Sequence, residues 1–136
     1  MSRFMPAIAA AVVLLPLTSE AALVNLKIKV ENLAPANSVA FAPLRVGVHS
    51  GVFDAFNLGD TAGAPIISVA EGGSGADWFP AFAAADPTAV LGTVLPNPAG
   101  PLVPGASGTA SFTVDTDVNP FFTFAAMVVP SNDFFI

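Results

Sequence analysis

Short stretches in which apolar and polar residues alternate recur along this chain, separated by segments rich in proline, glycine and asparagine. The clearest is LKIKVE, residues 26–31, and residues 44–49 and 110–114 repeat the pattern. Because successive side chains of a β-strand point to opposite faces, this alternation predicts strands with one buried face and one wet face. The chain is therefore expected to fold mainly as antiparallel β-sheet.

The stretch Phe121–Val129 has a different pattern, since nearly every residue in it is apolar. Such a stretch is typical of a strand buried on both faces, so we predict a central strand here. Asn119 and Pro120 precede it and favour a turn, which predicts a hairpin with the strand before it. The phenylalanines of this stretch, together with Phe134 and Phe135, are expected in the core.

Two short helices are predicted between the strands. Pro65 suits the first turn of a helix, and the glycine pair at 72–73 suits its end. A second helix is expected over about residues 80–85, and residues 88–95 are interpreted as a further short strand. Together these elements predict one domain with an all-β fold, an antiparallel β-sandwich with short helical inserts.

The amino terminus has the features of a secretory signal peptide. Arg3 is followed by the apolar run Ala7–Leu17 and then by small residues at Ser19 and Ala21. This run is too short for a membrane-spanning helix, which needs about 20 residues. We therefore expect a signal peptide at residues 1–21 and a mature domain at residues 22–136, secreted to an extracellular or periplasmic location without an integral membrane segment. A buried first helix and a retained membrane anchor are the alternatives.

The charge of the chain is low and negative. The formal net charge is −6, and loss of residues 1–21 leaves it unchanged because Arg3 and Glu20 are removed together. Without a positive stripe, the chain is not expected to bind nucleic acid or anionic lipid. Of all residues 10% are charged, 54% are hydrophobic and none is Cys, so a fold must be stabilised by apolar packing or by a bound ion.

The sequence supports no enzyme assignment. His49 is the only histidine and lies near Ser50 and Asp54, but the chain has no Gly-x-Ser-x-Gly motif to support a hydrolytic triad. We therefore predict that His49 lies on the wet face of a strand end. Trp78 and Phe79 could stack on a sugar or anchor a partner, but we favour the interpretation that they cover an edge of the sandwich.

Several segments of the chain resemble the spondin domain of secreted bacterial proteins, whose animal relatives occur in extracellular-matrix proteins. The segments follow the family's order from Lys27 to Ile136, and the most specific is MVVPSND, residues 127–133. The others are KVENLAPANS, RVGVHSGVFDAFNLG, SVAEGGS and PGASGTASFTVD. The resemblance implies a C2-like antiparallel β-sandwich, a Ca²⁺ site, and adhesion to an extracellular protein or glycan.

The resemblance also implies ligands for the calcium ion. In the family's Pro-Ser-x-Asp motif the aspartate binds the ion, and that position here is Asp133. A second acidic ligand lies on the preceding strand, where Asp115 and Asp117 are the nearest acids. Carboxylates suit Ca²⁺, which takes about six to eight oxygen ligands. Solvated turns and a strand end are the alternative interpretation of these three aspartates.

The family has further strands and ligands beyond position 133, so the resemblance implies a fragment or truncated form whose last strands are missing. In that case Phe121, Phe124 and Val128 would be exposed, and self-association through residues 121–129 is expected. The expected function is a secreted, non-catalytic spondin-domain module for adhesion or binding. An ion-free structural or envelope β-sandwich and a non-functional truncated remnant are the alternatives.

Overall fold

The structure is a computed structural model that describes residues 23–136. The predicted signal peptide, residues 1–21, lies outside the described residues and stays a prediction. Within the described part, no helix has the length and apolar character that crossing a membrane requires. In chain order the elements are β1 (Leu23–Glu31), β2 (Ala40–Phe41), β3 (Leu44–His49), α1 (Ala64–Gly72), α2 (Trp78–Ala85), β4 (Val90–Val94), β5 (Ser107–Asp115), β6 (Phe121–Ala125) and β7 (Val128–Val129).

The main strands form two antiparallel layers that pack face to face. β1 pairs with β5 along its whole length, from Leu23 opposite Asp115 to Glu31 opposite Ser107. In the second layer β3 is the central strand, with β4 on one side and β6 on the other. β2 and β7 form a separate short pair. The prediction of an all-β antiparallel sandwich with short helical inserts is therefore confirmed.

β3 lies between two separate cores, because its residues alternate between the two faces of the sheet. Leu44 and Val46 pack toward the β1–β5 layer, where they meet Ile28 and Val30. Gly47 faces the helices, and a Cβ at this position would lie 2.5 Å from the ring of Phe82. The second core consists of Ile66, Val69, Trp78, Phe82 and Ala125. The second sheet thus lies between the helices and the first sheet.

Both predicted helices are present. Pro65 lies in the first turn of α1, and Gly73 follows its end in the left-handed conformation, with a φ of 58°. α2 begins at Trp78, slightly earlier than predicted. The Trp78 side chain is fully buried, and the Phe79 ring lies 6.0 Å from the Arg45 guanidinium. Both residues therefore pack in or against the core between the helices and the second sheet, rather than covering an edge of the sandwich.

The predicted hairpin between β5 and β6 is wrong, because these consecutive strands belong to different layers. β5 pairs with β1, whereas β6 pairs with β3. The connection begins as a turn in which the Asp115 carboxylate accepts the N–H groups of Asp117 and Val118. Buried Asn119 then donates to the carbonyl of Thr88, just before β4, at 2.9 Å. This anchor directs the chain across to the second layer instead of reversing it within the first.

β6 is an edge strand, so the prediction of a central strand over Phe121–Val129 is also wrong. Residues 121–125 pair with β3, and the chain then continues into the separate short strand β7. The central strand is instead β3, most of which is buried. The uniform apolarity of residues 121–129 therefore does not reflect burial on both faces.

Three phenylalanines of β6 are about half exposed. Phe121, Phe122 and Phe124 have exposed fractions of 55, 44 and 47%. Phe122 and Phe124 share the inner face of the sheet with the valines of β3, but the two-stranded β1–β5 layer packs on β3 and β4 and leaves β6 uncovered. Phe134 is exposed as well, while Phe135 packs against the helical core. Of these five residues, only Phe135 meets the expectation of a core position.

Candidate binding groove

An apolar groove runs between β1 and β6. It consists of two neighbouring cavities of about 310 and 330 Å³. The first is lined by Ile28, Lys29, Val30, Leu44, Phe122, Phe124 and Ile136. The second shares Phe122 with the first and extends to Val24, Leu26, Val48 and Val114. The groove therefore follows the inner face of β6.

The alternation of two strands builds the walls of this groove. In β1 every second residue, Ile28 and Val30 among them, turns toward the interior while the lysines turn outward. In β6 the order Phe122, Thr123, Phe124 places the two rings on one face and the threonine on the other. Since β6 has no covering strand, these rings form an open wall of the groove.

The groove carries almost no charge. Lys29 is the one charged residue that lines either cavity within residues 23–136. Its ammonium lies 3.1 Å from the Glu31 carboxylate, and both side chains are exposed. Such an exposed pair contributes about 0–1 kcal/mol and sits at the rim. An apolar side chain suits this surface better than a phosphate or a sugar, whose polar groups would lose hydrogen bonds.

A hairpin formed by residues 126–136 closes one end of the groove. Residues 130–133 form its turn, in which the Phe134 N–H donates to the Ser131 hydroxyl at 2.9 Å. Ala126 and Ile136 then exchange two backbone hydrogen bonds of 2.9 Å each. The hairpin places Ile136 directly beyond the end of β6, where its side chain lines the first cavity.

A buried polar cluster lies on the other side of β6, next to the helices. His49 is only 4% exposed, so the prediction of a wet position is wrong. Its Nδ1 accepts the N–H of Gly51 at 3.1 Å, which places the ring proton on Nε2, and Nε2 donates to the Thr123 hydroxyl at 2.8 Å. Burial lowers the pKa of His49, and the nearby Asp86 carboxylate opposes this shift. The neutral His49 ring thus connects β3 to β6 through its hydrogen bond to Thr123.

Ser50 pairs with Asp86 rather than with His49. Its hydroxyl and its N–H donate to one oxygen of the Asp86 carboxylate at 2.6 and 2.8 Å. The hydroxyl and N–H of Thr88 donate to the other oxygen at 2.7 and 3.1 Å. These bonds, that of the Ser50 hydroxyl foremost, hold the pKa of Asp86 well below its usual range. Asp54 is exposed, so the residues considered for a triad are not arranged as one.

The three aspartates predicted as calcium ligands do not lie together. Asp115 and Asp117 belong to the turn after β5, whereas exposed Asp133 lines a cavity of about 150 Å³ with Glu71 of α1. Across residues 23–136, no three His, Asp or Glu side chains are grouped so that they could hold a metal ion. Because Ca²⁺ takes about six to eight oxygens, these residues do not fit the implied ligand set. The calcium site itself stays a prediction.

The sequence patterns did not identify the groove. The period of two in residues 121–125 was the available signal, since it places Phe122 and Phe124 on one face. No local sequence pattern predicts that Ile28, Leu44 and Ile136 lie together, because they come from distant parts of the chain.

No family model matches the sequence, and searches of curated proteins and of solved structures found no match. The spondin resemblance therefore depends on the quoted segments alone. A function for this chain is best inferred from its fold and its groove.

Proposed function

We propose that this chain is a secreted, non-catalytic binding module that recognises an extracellular protein through the groove between β1 and β6. The exposure of Phe122 and Phe124 on the inner face of an edge strand supports this most directly. Burying a phenylalanine contributes about 1.5–3 kcal/mol. A partner that covers these two rings would gain much of that free energy, and buried aromatic residues are frequent anchors of protein interfaces.

The chemistry of the groove favours a protein over other partners. Its lining is apolar, whereas glycans and phosphates need several polar contacts. The net charge of −6 disfavours nucleic acid and anionic lipid. The non-catalytic assignment is supported by His49, whose two ring nitrogens bond to Gly51 and Thr123 and not to the neighbouring Ser50.

Secretion and adhesion are supported by the leader-like residues 1–21 and by the spondin resemblance. A secreted chain would expose the groove to proteins outside the cytoplasm. Calcium is not part of this proposal, because the three aspartates do not meet.

The test compares binding of the purified secreted chain to a panel of extracellular-matrix proteins and to intact cells. The double variant Phe122→Ser/Phe124→Ser is expected to lose binding. Leu58→Ser, which changes a fully exposed loop residue outside the groove, is the matched control and should bind normally. Equal binding by the double variant would refute the assigned surface. Sequencing of the secreted chain should give Ala22 as its first residue.

A further inference from the structure

We propose that His49 is an acid-sensitive latch: its neutral ring holds the turn at Gly51 against Phe121, the first residue of β6, and its protonation releases the turn. The inference concerns a conformational device in the fold and does not depend on what covers the groove. Three features carry it: the hydrogen bond between His49 and Gly51, the packing of Phe121 on Gly51, and the anchors on either side of the turn.

The His49 ring holds the turn that follows β3 at the place where β6 begins. Its Nδ1 accepts the N–H of Gly51 at 3.1 Å, and its Nε2 donates to the Thr123 hydroxyl at 2.8 Å. Both bonds form only when the ring is neutral and carries its proton on Nε2. His49 also lies opposite Phe121 in the pairing of β3 with β6. The position of the turn therefore depends on the charge of this ring.

Phe121 packs directly on the turn. A Cβ at position 51 would lie 2.9 Å from two carbons of the Phe121 ring, so the ring approaches this closely only because Gly51 has no side chain. Gly51 also has a φ of 98°, a conformation that favours glycine. Phe121 is 55% exposed and belongs to an edge strand. The turn thus adds a contact that pairing with β3 does not supply at the start of β6.

Protonation would break this arrangement at Nδ1. An imidazolium ring donates from both nitrogens, so the new N–H of His49 would point at the N–H of Gly51. Two donors in this position repel each other, and the Gly51 N–H would then bond to water. Burial also disfavours the charged ring and lowers the pKa of His49. Acid therefore drives the turn away from the ring.

Of the elements packed against the ring, the segment after α2 brings the one charge that acts on it, that of Asp86. α2 contributes Phe82 and β6 contributes Phe121, at centroid distances of 5.0 and 6.1 Å, and neither titrates. The Asp86 carboxylate attracts an imidazolium, but it already accepts four bonds from Ser50 and Thr88. Since a carboxylate has about four lone-pair positions, the new N–H finds no free acceptor there, and burial outweighs the attraction.

Two anchors confine the movement to the turn itself. Ser50, before the turn, is held by its two bonds to Asp86. After the turn, the ring of Phe53 stacks on that of Phe82 with 3.8 Å between centroids. Gly51 lies between these anchors, so it can leave the ring while the helical core stays packed. Release is therefore expected without unfolding of the chain.

The test measures amide exchange in the unaltered full chain at pH 7 and pH 5, with each rate divided by that of an unstructured peptide at the same pH. We expect the Gly51 amide to lose protection by about five- to 25-fold, where the upper value is the limit for one histidine whose pKa in the open form is the ordinary 6.5. The nuclear Overhauser contact between the Gly51 α-protons and the Phe121 ring should weaken in parallel. The amides that join β1 to β5 should keep their protection.

Two variants assign the response to His49. In His49→Gln the amide oxygen can accept the Gly51 N–H but does not titrate, so protection of the Gly51 amide should be equal at both pH values. Asp54→Asn removes a nearby exposed carboxylate and should leave the acid response unchanged. Constant protection of the Gly51 amide in the unaltered chain would overturn the inference, whether or not His49→Gln folds. So would the same loss in His49→Gln, or an equal loss throughout β1 and β5.

The exchange measurement needs no partner, so the latch and the proposed function are tested separately. If the Gly51 amide loses protection in acid while Phe122→Ser/Phe124→Ser binds the matrix and cell panel normally, the latch stands and the proposed function fails. If the Gly51 amide keeps its protection while the double variant loses binding, the latch is refuted and the proposed function stands.

Discussion

Ser50 and Asp86 are joined by two hydrogen bonds, one from the Ser50 hydroxyl at 2.6 Å and one from its N–H at 2.8 Å. The pair connects the residue that follows β3 to the residue that follows α2. Thr88 contributes two further bonds to the same carboxylate. Because all four bonds favour the charged form of Asp86, its ionisation and the folding of this region are coupled.

We predict that this coupling makes the chain sensitive to strong acid. The pKa of Asp86 is held well below its ordinary value of 3.8 in the folded state, so the carboxylate stabilises the fold above about pH 3.8 and this stabilisation is lost as the pH falls further. Asp86→Asn should lower the melting temperature at pH 7, and its deficit relative to the unaltered chain should shrink toward pH 2. Thermal melts by circular dichroism measure this. Asp54→Asn, at an exposed site, is the control; a constant deficit for Asp86→Asn would contradict the coupling.

A second acid transition is predicted at higher pH from His49. Its pKa is lowered from 6.5, mainly by burial, so the neutral ring is favoured in the folded state. The stability from the neutral ring is complete above about pH 6.5 and decreases as the pH falls below that value, because protonation would break the Nδ1 bond from Gly51. His49→Gln should remove the pH dependence between pH 7 and 5, since the chain has no other histidine. An unchanged slope in this variant would show that other groups cause it.

The local elements were predictable from the sequence, because their signals are local. The alternation of β1, the Pro65 start of α1 and its end at Gly73 each depend on a few neighbouring residues. The partners of the strands were not predictable in the same way. The apolar stretch 121–129 could not distinguish a central strand from an edge strand, because that difference depends on how many strands lie in the facing layer.

The surroundings of the candidate site residues were not predictable from local patterns either. His49 resembles a wet residue in its alternating strand, but Thr123 and Asp86 provide a buried polar environment from distant positions. The groove likewise depends on Ile136 returning to the end of β6, which no local pattern encodes. The three aspartates are separated because Asp115 and Asp117 lie in the turn before β6, whereas Asp133 lies in the turn that follows β7.

Gly47 is predicted to be essential for close packing between β3 and α2. A Cβ at this position would lie 2.5 Å from Cε1 of Phe82, closer than real contacts allow, and 3.0 Å from Leu91 Cδ2, which is a tight contact. Gly47→Ala should therefore lower the free energy of unfolding by about 1–3 kcal/mol, the usual cost of overpacking. Gly72→Ala, where the nearest atom is 3.6 Å away at the end of α1, is the matched control and should be neutral or slightly stabilising. Urea denaturation of both variants checks this, and equal stability of the two would contradict the packing role.

Asp115, Asp117 and Asp133 are predicted not to act together as one calcium site, so calcium should not raise the stability of this chain through them. Asp133 shares its cavity with Glu71 but not with Asp115 or Asp117, and two exposed carboxylates do not provide the about six to eight oxygens that Ca²⁺ requires. Melting temperatures in chelator, calcium and magnesium at equal ionic strength should therefore agree. A rise specific to calcium that disappears in Asp133→Ala, but persists in Asp117→Ala, would contradict this prediction. It would instead assign Asp133 the ligand role that the spondin resemblance implies, with Glu71 as the first candidate for a second ligand.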